Sequence, residues 1–315
     1  MQENVVALFK RVRLSSTISV ILGILLSILF SDLLGESSMG WQVVVAVIAL
    51  AIGIPHGALD HLVTLPKAQP KKMAIFIVVY VTVAVIAVIG ILTFNTIGFI
   101  IVLFMSAVHF GIGDAAFTSE IDRRTGTERK LNRWFYIPAA GFTPVFIPLV
   151  NSASTEALAS VNPALINWHQ GFDSQILFVV TAFAVLAILV MIVGKRNREV
   201  LDLSLLLLLA HLAPPLIAFA VYFGCWHAMR HTARLTLSLP RSLENLNQGN
   251  LRNAFSQAVI PGLPALIGTF VVAGAMALSG RDFSDEFFWM ALVVVWALTV
   301  PHMVVTAKLD RAALT

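Results

Sequence analysis

Apolar runs of about 18 residues or more recur along the whole chain, and a run of that length is what crosses the hydrocarbon core of a bilayer. Ten apolar segments can be drawn in the 315-residue sequence, at about 14–34, 41–65, 73–94, 96–117, 134–150, 174–194, 200–213, 215–238, 257–279 and 286–306. They are continuous rather than alternating, which excludes a β-barrel. Within lipid every backbone N–H and C=O must then be satisfied inside a helix. The expected fold class is therefore all-α, a polytopic integral membrane helix bundle of about ten spans, or eight to ten given the short segments. Hydrophobic residues make up 58% of the chain and charged residues only 12%, against roughly 25% charged in a soluble domain. No soluble domain can be drawn.

The placement of charge sets an orientation. Lys10, Arg11 and Arg13 precede the first apolar run, and basic residues concentrate on the cytoplasmic side of membrane proteins. With these inside, the alternating loops put Lys67, Lys71, Lys72, Arg123, Arg124, Arg129, Lys130, Arg133, Lys195, Arg196, Arg198, Arg241, Arg252, Lys308 and Arg311 inside as well. Asp32, Glu36, Asn95, Thr96, Glu156, Asp173, Asp282, Asp285 and Glu286 fall outside, together with Arg281. Both termini are expected to be cytoplasmic. The alternation requires the short segment 200–213, which ends at Pro214 and Pro215, to count as a crossing. The basic start MQENVVALFKRVR runs into a first permanent span rather than a cleaved signal, since no A-x-A-like site follows. The net charge of +4 is thus a topology signal and not a nucleic-acid footprint. The one cysteine, Cys225, excludes an intramolecular disulfide and a thiolate metal site.

On this topology His56, His61, His109, His227, His231 and His302 lie in the inner halves of spans two, four, eight and ten. His56 sits on the order of 15 Å above the inner lysines and His109 roughly 12 Å above the inner end of its helix. An ionisable group inside a span is costly and marks function by default, although a single histidine there can simply hydrogen-bond between helices. His169 belongs to an outer loop and His211 to an outer corner.

Four short segments carry the chemistry. In CWHAMRHTAR, residues 225–234, His227 and His231 are four apart and share a helix face, as two ligands of one ion or as two packing histidines do. Arg230 and Arg234 on the same helix need carboxylate partners or water. In GIPHGALDHL, residues 53–62, Gly53 and Pro55 suggest a kink that points His56 into the bundle. Asp60 can orient the His56 ring or pair with Arg230, and His61 faces away from His56 on a regular helix. In HFGIGD, residues 109–114, two glycines allow close helix approach, and Asp114 is either functional or a solvated helix-end residue. PHM, residues 301–303, holds His302, a supporting or interfacial group. There is no HExxH, no pair of HxxHH boxes, no Walker A loop, no nucleophile elbow and no dinucleotide fingerprint.

Taken in order, GIPHGALDH, HFGIGD, WHAMRH and PHM resemble the Brp/Blh family of integral-membrane β-carotene cleaving enzymes over nearly the whole chain. The resemblance implies one transmembrane catalytic domain, residues 1–315, in the cell (inner) membrane. It implies a 15,15′-dioxygenase that splits β-carotene with dioxygen into two molecules of all-trans retinal, with a functional link to a retinal-binding rhodopsin. It further implies Fe(2+) held by His56, His109, His227 and His231; Asp60, His61, Asp114 and His302, read from the segments themselves, are the candidate supporting residues. Imidazole donors suit iron. A hydrocarbon substrate needs an apolar tunnel rather than charged clamps, and Phe104, Phe110, Tyr222, Phe223, Trp226 and Trp296 are its candidate walls. The competing readings are another histidine-rich membrane oxygenase, such as a hydroxylase or desaturase, and a metal or proton transporter.

Overall fold

The computed structural model describes residues 2–30, 39–65, 69–152, 154–278 and 283–314. Asp32, Glu36, Lys67, Arg281 and Asp282 of the loop-charge argument lie outside them. The described residues form helices and connecting turns, with no strand among them. In chain order the helices are α1 (Gln2–Leu29), α2 (Met39–Gly57), α3 (Asp60–Thr64), α4 (Pro70–Thr93), α5 (Asn95–Thr125), α6 (Arg133–Val150), α7 (Ser154–Val161), α8 (Asp173–Val193) and α9 (Asn197–Leu212). They continue as α10 (Pro215–Ala220), a π-helical stretch Val221–Ala228, α11 (Met229–Leu235), α12 (Pro240–Asn247), α13 (Leu251–Gln257), α14 (Leu263–Ala277) and α15 (Phe283–Leu314).

Seven of the described segments are long and apolar enough to cross a membrane: Gln2–Leu29, Gln42–Thr64, Pro70–Thr93, Asn95–Thr125, Asp173–Val193, Leu251–Ala275 and Trp289–Leu314. The other three expected segments depart from that pattern for visible reasons. α9 has 16 residues, about 24 Å of helix against a core of about 30 Å. α6 contains Pro138, Pro144 and Pro148. The last begins after the Pro214–Pro215 break and is divided by the π-helical stretch.

The run from Pro215 to Leu235 is the axis of the bundle. Trp226, Tyr222, Arg230 and His231 on it are all buried, and it packs on α1, α2, α5 and α6. Around it Val20, Leu50, Phe99, Phe146, Leu206 and Val293 join one apolar core. The outer faces of α4 and α8 are apolar as well, with Val78, Ile86, Phe178 and Leu189 exposed. That is the inside-out pattern of helices solvated by lipid rather than water.

Close approach of α5 and α6 positions the histidine segment of α5. A Cβ at Gly111 would collide with the carbonyl oxygen of Ile137, and one at Gly141 with that of Ala107. Small residues let membrane helices approach backbone to backbone. Because each obstacle is main chain, neither can turn aside. Gly111→Ala or Gly141→Ala is therefore expected to cost about 1–3 kcal/mol or more through overpacking, read as a lower unfolding temperature in detergent. An unchanged transition would show that the helices can separate freely.

Two of the basic residues taken for loop charges are not at the surface. Arg13 is buried and pairs with Glu199 at 2.8 Å and Asp202 at 2.7 Å. Arg196 is buried and pairs with Glu199 at 2.8 Å and Asp122 at 2.7 Å. Buried cations are paired because desolvating them alone is too costly, and these carboxylates supply the partners.

Candidate metal centre

Five elements deliver five imidazoles to one point of the interior. α2 carries His56 one residue before its end, and Pro55 lies inside that last turn. α5 carries His109, the π-helical stretch His227, α11 His231 and α15 His302. All five side chains are buried. Neighbouring ring centroids run His56 to His227 5.4 Å, His227 to His109 5.2 Å, His109 to His302 5.1 Å and His302 to His56 5.4 Å. His231 lies against all four, at 5.0 Å from His56, 5.5 Å from His302, 6.0 Å from His227 and 6.3 Å from His109. The π-helical stretch takes His227 out of ordinary α register, and π turns are frequent at functional sites. The His227 and His231 rings nonetheless lie within 21° of parallel.

The donor set fits a metal ion. Each ring keeps a buried nitrogen with no hydrogen-bond partner: His56 Nδ1, His109 Nε2, His227 Nε2, both nitrogens of His231, and His302 Nε2. Buried polar atoms are ordinarily paired, so this concentration of orphans marks a place built for a ligand. Metal–nitrogen bonds of about 2.0–2.1 Å place imidazole centroids roughly 3.2 Å from an ion, hence about 5.2 Å apart where two ligands subtend a tetrahedral angle; the neighbouring spacings of 5.0 to 5.5 Å lie near that value, whereas His231 stands wider, at 6.0 Å from His227 and 6.3 Å from His109. Among the described residues, no group of three or more His, Cys, Asp or Glu side chains is arranged to hold a metal ion as the side chains stand.

Asp60 bonds to neither of its two expected partners. α2 stops at Gly57, the chain turns at Ala58 and Leu59, and α3 restarts at Asp60, so Asp60 does not continue the face that carries His56. Its two oxygens instead lie 2.9 and 3.0 Å from His302 Nδ1, and one accepts from the Tyr80 hydroxyl at 2.9 Å. His302 is therefore an interior residue and not an interfacial one. His61 stays apart from the five rings, half-buried, with Nδ1 3.1 Å from the Ala58 carbonyl oxygen.

Asp114 is not a solvated helix end. It is buried, accepting from Arg230 at 2.6 Å and from the Tyr136 hydroxyl at 2.6 Å. Arg230 also reaches Asp202 at 3.3 Å and Ser16 at 3.2 Å, and its guanidinium lies 3.4 Å from the Trp226 ring centroid. Arg234 pairs with Asp310 at 2.5 Å. Both arginines thus have the carboxylate partners their burial demands. Of the two remaining histidines, His169 faces Asp173 at 3.8 Å and His211 faces Thr181 at 3.1 Å.

A cavity of about 420 Å³ adjoins the centre and is lined by His56, His109, His227 and His302. Its other walls are mainly apolar, among them Leu50, Leu103, Pro144, Leu158, Leu216 and Phe219, with Asp60, His61, Tyr80, Ser106 and Thr299 as polar members. Phe110, Tyr222, Phe223 and Trp296 line it as well. Phe104 and Trp226 do not. Phe104 is half exposed and packs edge-on against Phe142 and Phe146, and Trp226 is fully buried beneath Arg230. Tyr80 was missed in the sequence, although a tyrosine hydroxyl midway along so apolar a span is the kind of signal that points to a buried partner.

No solved structure matches this chain. The probable β-carotene 15,15′-dioxygenase Blh of Halobacterium salinarum is 24% identical over 294 residues, covering 84% of this chain and 82% of that protein. A β-carotene 15,15′-dioxygenase from the uncultured marine bacterium 66A03 is 26% identical over 265 residues, covering 80% of this chain and 88% of that protein. The sequence profile of one family matches residues 47–310, a stretch that includes all five clustered histidines, and the chain belongs to that family, the β-carotene 15,15′-dioxygenases.

Proposed function

We propose that this protein cleaves β-carotene at its central 15,15′ double bond with dioxygen, yielding two molecules of all-trans retinal, at Fe(2+) held by His56, His109, His227 and His231. The observation that carries the reading is the meeting of a mainly apolar cavity with a cluster of unpartnered buried imidazoles. A metal relay for transport needs a polar path, whereas these walls suit a polyene. Family membership agrees with this chemistry.

Bound iron would supply the electronic coupling that lets dioxygen react with an alkene. The carbon–carbon double bond is lost, and each of its carbons leaves as an aldehyde carrying one oxygen atom, so no external reductant is consumed. What the chain contributes is position. The walls hold the polyene with its midpoint beside the histidines, a proximity effect that selects the bond to be cut. Phe110, whose ring centroid lies 4.3 Å from that of His227, stands closest to that point. Dry walls exclude water from the reacting carbons.

The proposed setting is the cell (inner) membrane, with ten crossings and both termini cytoplasmic. Retinal released there would reach a retinal-binding rhodopsin through the bilayer. The cavity comes to the surface where exposed Ile77, Val81 and Ala265 line it, which gives a lipid-dissolved carotene a lateral way in. Ala265→Trp is expected to lower kcat/KM for β-carotene about tenfold, equivalent to roughly 1.4 kcal/mol, with the metal content unchanged. Normal kinetics in this variant would place the entrance elsewhere.

Expression in a cell that accumulates β-carotene tests the function. Loss of the orange colour with appearance of retinal is the expected result. Unchanged β-carotene in cells holding the folded protein would overturn the proposal.

A further inference from the structure

The four histidines of the proposed iron site do not account for the fifth ring among them. His302 occupies a place in the ring circuit equivalent to the others, 5.1 Å from His109 and 5.4 Å from His56, centroid to centroid. Its two nitrogens are sharply distinguished. Nδ1 faces both oxygens of Asp60, at 2.9 and 3.0 Å, and a carboxylate can only accept there, so the proton sits on Nδ1. That leaves Nε2 with a free lone pair, buried and unpartnered among the other imidazoles. Asp60 is itself held by the Tyr80 hydroxyl at 2.9 Å, and that hydroxyl also lies 3.3 Å from the carbonyl oxygen of Leu298, one turn before His302 on the same helix. A histidine whose far nitrogen donates to a carboxylate is the arrangement that fixes tautomer and aim in metal sites.

We propose that His302 is a fifth imidazole ligand of the ion, and that Asp60 and Tyr80 are the positioning pair that sets its tautomer and direction. This rests on the reading that the cluster holds a metal ion. It also explains a local feature of the chain. The break at Ala58 and Leu59 releases Asp60 from the His56 face and turns it toward α15. A continuous α2 would not place it there.

The test is a count of imidazole donors by X-ray absorption on the purified full-length protein loaded with Fe(2+), alongside metal affinity. The wild type is expected to show five imidazoles and His302→Ala four, with free imidazole restoring the fifth. Asp60→Asn and Tyr80→Phe should keep the ion but bind it about 10- to 100-fold more weakly, as loss of a partner behind a ligand does. Four imidazoles in the wild type would overturn the proposal whether or not any variant folds, and so would a His302→Ala protein with wild-type donor count and affinity. A wild-type protein that takes up no metal at all would instead overturn the underlying reading of the cluster, and this proposal with it.

Discussion

Alanine at His227 is expected to abolish retinal formation and to release the ion, while leaving the protein folded. The ring of His227 lies 5.2 Å from that of His109, 5.4 Å from His56 and 6.0 Å from His231, so it is flanked by three other rings of the cluster. Even partners that only support a ligand cost 10- to 100-fold in affinity or activity when removed, and loss of a ligand should exceed about 100-fold. Folding should survive because the same segment is anchored independently by Trp226 and Arg230. Retinal yield and iron content, measured together with excess iron supplied, check this. Full activity with the ion retained would remove His227 from the site.

The second large effect is expected on stability. Arg230 is only 2% exposed, and it closes a chain of charges that runs inward from half-buried Asp122: Asp122 to Arg196, Arg196 to Glu199, Glu199 to Arg13, Arg13 to Asp202, Asp202 to Arg230, and Arg230 to Asp114. The chain ties α1, α5, α9 and α11 together. Arg230→Met keeps much of the side-chain volume but strips Asp114 and Asp202 of a cation. Breaking a buried pair from one side costs about 3–5 kcal/mol, because the remaining charge is uncompensated. Arg230 stands between His227 and His231, so the lost anchor also loosens the helix that carries both. Thermal unfolding in detergent should show a large fall for Arg230→Met, and Asp114→Asn added to it should recover part of the loss. A transition at the wild-type temperature would mean that the network contributes nothing net.

The all-helical membrane fold was legible because apolar run length alone decides it, and the histidine cluster because ionisable groups stand out in such runs. Periodicity brought His227 and His231 to one face, but a 3.6-residue repeat contains no sign of the π turn at Val221–Ala228. The Asp60 partner was not legible for a related reason: its direction depends on the break after Gly57, and a sequence read as one continuous helix points it elsewhere. Loop charge did not show that Arg13 and Arg196 are buried, since a cation near a helix end looks the same whether it meets water or a carboxylate far along the chain. Glu199 and Asp202, at the start of an otherwise apolar helix, were the signal that they would be claimed inside. That Phe104 and Trp226 do not line the cavity was not legible, because an aromatic residue in a span carries no record of which side of the helix a cavity lies on.

One ion held by imidazoles in the interior of the bundle is the centre of the proposed chemistry. Its most direct test is to measure metal against protein in the purified enzyme and to read the ligand atoms of that metal spectroscopically. One iron per chain with an all-imidazole protein shell is the predicted result. Two irons per chain, a metal with carboxylate donors from the protein, or active enzyme without metal would contradict it.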